Sequence, residues 1–161
     1  MWRHGEAGPA VRDRQRQLTA RGRRDVPRGA QALVALCGRR QLPTPDLLWF
    51  SCWQRTTQTA ALIGAVTGCS ASAHQALIPG SEPLEVECAL ERLFGTGTPR
   101  HLVLVSHQPL VSELVDYLSG ETGATPSHPP GGLVTLALDA PAPGCASVLW
   151  WAFPPHYEAG L

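Results

Sequence analysis

Two histidines and two arginines stand out for what they could do to a phosphoryl group. His4 sits in Arg3-His4-Gly5-Glu6-Ala7. An imidazole nitrogen is a competent nucleophile toward phosphorus. A glycine directly after it lets the backbone approach a ligand closely, and the arginine before it offers a charged fork of donors. Arg55 sits in Ser51-Cys52-Trp53-Gln54-Arg55-Thr56-Thr57-Gln58-Thr59, in the first turn of an expected helix. Its guanidinium and the helix N-terminus would both favour an anion there. His107 sits in Ser106-His107-Gln108-Pro109, between an expected strand and a proline-started helix. Alone, each segment also reads as an ordinary surface arginine or packing histidine. His74, His101, His128 and His156 share no spacing with cysteines or acids and read as structural or surface groups.

These residues need a scaffold that brings distant segments together. Leu18 to Arg40 has a helical apolar stripe (Ala30, Leu33, Val34, Leu36), Thr19 as its N-cap, and a kink or restart at Pro27. Leu47–Phe50 is a continuous apolar run, the pattern of a buried parallel strand. Gln54 to Val66 reads as a helix with Gly68 at its C-cap. Ala71 to Ile78 reads as a weak strand, Leu84 to Phe94 as a helix, and His101 to Val105 as the clearest buried strand. Pro109 opens a helix through Leu118, and residues 119–132 read as loop. Leu133–Leu138 and Ser147–Phe153 read as paired antiparallel strands, and His156–Leu161 as an unstructured tail. Strands alternating with helices imply a three-layer α/β/α sandwich with a mostly parallel central sheet and an antiparallel C-terminal strand. The expected organisation is one domain over residues 1–161. The three chemical segments would meet at the C-terminal strand ends, where open α/β sheets bind ligands.

Composition narrows the chemistry. The 161 residues contain no lysine, which removes Schiff-base and Walker-type P-loop mechanisms. Net charge is zero, yet eleven of the thirteen arginines lie in residues 1–60 against four acids, while residues 61–161 hold nine acids. A basic half could focus an anionic substrate onto one face; the plainer alternative is solvated arginine on an exposed helix. The arginines lack interleaved aromatics, so no nucleic-acid partner is expected. Five scattered cysteines without a CxxC argue against a disulfide framework or zinc ribbon and for a reducing compartment. No signal peptide or membrane-length apolar run is visible, so a cytoplasmic location is expected, with no membrane partner.

Taken together, R-H-G-E-A, R-Q-L-T-A-R-G (Arg16 to Gly22), S-C-W-Q-R-T-T-Q-T and V-S-H-Q-P-L-V resemble, in order and spacing, the motifs of the histidine phosphatase superfamily, also called phosphoglycerate mutase-like. The compact SixA-type branch is the nearest pattern, and the resemblance runs from residue 1 to about 118. It implies that fold, with His4 as nucleophile, Arg3 and Arg55 as phosphate-binding arginines, and His107 contacting the transferring phosphoryl group. It implies no cofactor and no metal. The sequence departs from the family at Cys52, where many members carry proline, at R-Q-L-T for R-P-L-T, and before Arg3, where only Met1 and Trp2 stand.

Mutase-like and broad-specificity relatives place an acid after the third strand to protonate the leaving oxygen. Glu82, in Pro79-Gly80-Ser81-Glu82-Pro83, is the positional candidate, with Glu85 next. Neither lies in a strong motif. An imidazole leaving group, with a reference pKa of about 6.5, needs far less protonation than an alkoxide, so a weak acid suits phosphohistidine. Thr59 and His101 lie 42 positions apart, which one strand and one helix consume, leaving nothing for a lid. The expected function is therefore a metal-independent phosphatase acting on a phosphorylated protein, such as a histidine phosphotransfer domain, through a phosphohistidine enzyme. The alternatives are a small-molecule phosphomonoesterase using the same pocket on a phosphorylated metabolite, and a catalytically idle phosphoprotein-binding module.

Overall fold

The structure is a computed structural model describing residues 1–161. Its strands are β1 (Trp2–Arg3), β2 (Leu47–Phe50), β3 (Ser70–Ala73), β4 (Leu102–Ser106), β5 (Leu133–Leu138), β6 (Ala146–Ala152) and β7 (Ala159–Gly160). They form one sheet in the order β3-β2-β4-β1-β5-β6-β7. The first four run parallel to one another, and β5, β6 and β7 add on antiparallel. The helices are α1 (Ala20–Arg39), α2 (Gln54–Thr67), α3 (Pro83–Thr96) and α4 (Leu110–Ser119).

Side-chain alternation along the strands builds two cores. Leu48, Val103 and Val105 face α1 and α2, packing with Val26, Ala30, Leu33, Ala60 and Ile63. Leu104 points the other way, onto Val86 and Leu90 of α3 and Leu110, Leu114 and Leu118 of α4. Helices therefore cover both faces, as a mostly parallel sheet requires.

Three local expectations are corrected. α1 runs unbroken through Pro27; one missing N–H is outweighed by the packing of Val26, Gly29, Ala30 and Leu33, all buried. β3 is shorter than its apolar pattern indicated: it ends at Ala73, and a 3-10 turn over Gln75–Leu77 drops Leu77 into the core. The tail is ordered, not free. Ala159 and Gly160 pair with Ala152 and Trp151, and buried Tyr157 donates to the Gly131 carbonyl at 3.2 Å. His128 lies in the expected loop and is completely buried, a structural group and not a surface one.

β1 is only two residues long and meets β4 at Val105 and Ser106 alone. Leu102–Leu104 and the far part of β5 have no strand between them, and an apolar cavity of about 420 Å³ opens there. Neither His4 nor His107 lines it.

The start of α1 docks against the loop after His4 through Gly22, where a Cβ would stand 2.3 Å from the Glu6 carbonyl oxygen. Gly22→Ala should cost about 1–3 kcal/mol of stability in urea unfolding. Gly38→Ala, in the same helix with open space around its Cβ, should be neutral or gain up to ~1 kcal/mol. Equal behaviour of the two variants would contradict the close approach.

Candidate active site

β2, β4 and β1 are consecutive in the sheet and parallel, so their C-terminal ends share one edge, about 4.8 Å apart from strand to strand. β1 runs into His4, β4 into His107, and β2 into the Ser51–Trp53 turn that starts α2 and carries Arg55. Backbone bonds lock these exits together: His4 N–H donates to the Ser106 carbonyl (3.0 Å) and Ser51 N–H to the Val105 carbonyl (3.1 Å). Gly5 N–H donates to Thr59 Oγ1 (3.0 Å) on α2. A Cβ on Gly5 would come within 2.8 Å of Val26, so only glycine lets this turn lie against α1.

The His4 ring has a fixed orientation and tautomer. Nδ1 is 2.8 Å from the Gly5 carbonyl oxygen. A carbonyl can only accept, so Nδ1 carries the proton. Nε2 lies 3.1 Å from Arg55 Nε, which can only donate, so Nε2 holds a lone pair. Burial pushes the His4 imidazole down to about 4; the Arg55, Arg3 and Arg16 charges add to the fall, and the bond to Gly5 opposes it.

Arg55 is buried, with 5% of its surface exposed. Its terminal nitrogens donate to the Asp13 carbonyl (2.8 Å) and to Asp13 Oδ2 (3.2 Å). Its Cζ sits 4.8 Å from the centre of the Trp53 ring. Arg3 donates through one terminal nitrogen to the His128 carbonyl (2.7 Å). His107 lies 5.1 Å from His4, ring centre to ring centre, with Trp53 edge-on at 5.4 Å. Burial first, then the His4 and Arg55 charges, push His107 down to about 3. Arg3, His4, Arg55 and His107 are thus gathered at one place.

Three buried nitrogens at this place have no partner: Arg3 Nε and both ring nitrogens of His107. Buried polar atoms are nearly always paired, and this trio sits beside the His4 Nε2 lone pair, which is directed at a guanidinium. Free donors on several sides of a ring lone pair could together pair with a small oxyanion.

No protein-family model matches the sequence, and no curated protein matches it. Solved structures do. The protein histidine phosphatase SixA complexed with tungstate is 29% identical with a TM-score of 0.77, covering 94% of each chain. A SixA-type protein from Nakamurella multipartitia is 23% identical with a TM-score of 0.76, covering 94% of this chain and 92% of the other. A mycobacterial glucosyl-3-phosphoglycerate phosphatase shares the fold at 17% identity and a TM-score of 0.69, covering 92% and 94%. This chain's structural neighbours are SixA phosphohistidine phosphatases and other members of the histidine phosphatase superfamily, and the chain has their fold.

The remaining motif residues act as braces. Arg16 donates to the Gly8 (2.8 Å) and Ala7 (3.0 Å) carbonyls. Thr19 caps α1, accepting from Gly22 N–H (3.1 Å), and donates to Glu6 (2.7 Å). Gln58 accepts from Leu18 N–H at 2.8 Å. Sequence reasoning missed Asp13, Trp53 and the His128 carbonyl. A lone aspartate among arginines gives no signal, and a backbone oxygen has none. Trp53 was visible inside the Arg55 motif. Glu82 belongs to the α3 capping box: its side chain accepts the Glu85 N–H, and Glu85 accepts the Glu82 N–H at 3.1 Å. No hydrogen bond or ion pair joins either acid to the cage. No group of three or more His, Cys, Asp or Glu side chains is placed to hold a metal ion, and no helix is long and apolar enough to cross a membrane.

Both cage imidazoles titrate below their unfolded value of about 6.5. Between about pH 6.5 and pH 4 the unfolded chain binds more protons, so their contribution makes stability fall as pH drops through that window. In NMR, His4 should remain a neutral Nδ1–H tautomer at about pH 5.5, and in Arg55→Ala its titration should move up toward 6.5. A His4 that titrates normally in the unaltered protein would contradict this electrostatic account.

Proposed function

We propose that the chain hydrolyses the phosphohistidine of a phosphorylated protein, by way of a phosphoryl group carried on His4 Nε2. The observation that carries this reading is the set of unpartnered buried donors, Arg3 Nε and the His107 ring, beside the Nε2 lone pair. The SixA phosphatase among the matching structures is complexed with tungstate, a tetrahedral oxyanion that such unpartnered donors could hold.

The reaction would proceed in two in-line steps. Nε2 attacks phosphorus as the P–N bond to the substrate's ring breaks, and that ring, already protonated on its other nitrogen, leaves as neutral imidazole. Water then attacks the phosphorus, the P–Nε2 bond breaks, and phosphate departs. Arg3, Arg55 and His107 would stabilise charge spread over the equatorial oxygens at fixed positions, with little reorganisation. The incoming phosphoryl group replaces Arg55 Nε–H at the His4 lone pair, while Asp13 keeps the other end of that guanidinium in place.

The leaving-group argument favours a phosphoamidate. Among carboxylates, only Asp13 is hydrogen-bonded to the cage. Burial works to raise its carboxyl, but the hydrogen bond from Arg16 and the Arg55 charge outweigh it and hold Asp13 below the usual range. An aspartate held ionised in this way is a poor proton donor for an alkoxide. A phosphohistidine ring protonated on its other nitrogen leaves as neutral imidazole, whose conjugate acid has a reference pKa of about 6.5, and needs no donor from the protein.

Phosphate release from a phosphorylated histidine photransfer substrate is the direct assay: a histidine phosphotransfer domain charged with phosphoramidate should be dephosphorylated, and His4→Ala should lose at least about 10³-fold of that rate. Retained turnover in His4→Ala would overturn the nucleophile. Comparable efficiency on an alkyl phosphate, lost in Glu82→Gln, would favour the small-molecule phosphomonoesterase, and binding without turnover would favour the idle binding module.

A further inference from the structure

The segment between Ala7 and Leu18 forms a lip over the cage. An antiparallel bridge between Ala7 and Leu18 closes it, Gly8 N–H donates to the Gln17 carbonyl at 2.9 Å, and Arg16 ties down its first two carbonyls. A loop whose ends are pinned in this way is a compact Ω-type element. Its inner side is Asp13, gripping Arg55. Its outer side is unusual: Val11 is completely exposed, at 101%, and exposed Arg12 and Arg14 flank Asp13 with no ion pair.

The same surface continues onto α1 and α2. Exposed Arg23 contacts only the Gln17 side chain (3.4 Å), which also accepts from Gln58, and Gln58 lies one turn beyond Arg55. The nearby acids are already engaged: Asp13 by Arg16 and Arg55, Glu6 by Arg21, and Asp25 by Arg21 and Arg24. Three arginines without an ion pair and one bare valine therefore lie on and beside the loop that grips Arg55.

A small phosphorylated molecule would be satisfied inside the cage and would not reach Val11. Only a substrate with a surface of its own extends that far. We propose that the Val11–Arg12–Arg14 lip, with Arg23, is a docking surface for a protein substrate whose phosphohistidine is surrounded by acidic side chains and a small apolar patch. This rests on the phosphohistidine reading above. Held charges at the rim speed encounter and set orientation, and their reach is about 10 Å at 0.1 M salt.

The test compares two phosphoryl donors at low ionic strength: phosphoramidate, and a histidine phosphotransfer domain with acidic side chains around its phosphohistidine. In Arg12→Gln/Arg14→Gln/Arg23→Gln, KM for the phosphodomain should rise about tenfold with kcat unchanged. Turnover of phosphoramidate should stay within about twofold. Added salt should raise KM for the phosphodomain in the unaltered protein and much less in the variant. An unmoved KM, or equal loss on both donors, overturns the docking surface. An unaltered protein that consumes phosphoramidate but not the phosphodomain overturns the protein substrate itself, and one inert on both overturns the phosphatase reading.

Discussion

The hydrogen bond from His4 Nδ1 to the Gly5 carbonyl governs which nitrogen of the imidazole can react. It places the proton on the side away from the cage and leaves Nε2 free to face Arg55. Much of the surrounding structure serves to keep that bond in place. Gly5 is held by Thr59 on α2 and pressed against Val26 on α1. Gly22 lets α1 come down onto Glu6, and Arg16 fixes the two carbonyls that follow. Motif residues that never touch the cage are thus explained by the rigidity of one turn.

Electrostatics explains why the cage is both costly and useful. Two guanidiniums and two imidazoles share a buried space, and burial lowers the pKa of each. Keeping both histidines neutral relieves the repulsion and preserves the lone pair on His4 Nε2. An arriving phosphoryl dianion reverses the balance, because donors that repel one another each gain a partner. Asp13 offsets part of the positive charge from outside and orients Arg55 without entering the space between the rings.

Much of this was legible in the sequence because the chemistry lies in short segments at strand ends. A run such as His101–Val105 followed by Ser106-His107 specifies both the strand and the exit of its histidine. Thr19 likewise marked the start of α1, and it does cap that helix. What could not be read depends on contacts between distant segments. The packing that carries α1 through Pro27, the pairing of the tail with β6, and the Asp13–Arg55 ion pair across 42 positions have no local pattern. His128 looked like a loop histidine, yet it is buried with its ring on Ser112 and its carbonyl on Arg3.

Four side chains from three strand ends would enclose one tetrahedral oxyanion, with His4 behind it. A crystal structure with vanadate bound tests this most directly. The expected result is vanadium bonded to His4 Nε2, with its equatorial oxygens on Arg3, Arg55 and His107. Vanadate bonded elsewhere, or held at this edge without contact to His4 Nε2, would contradict it.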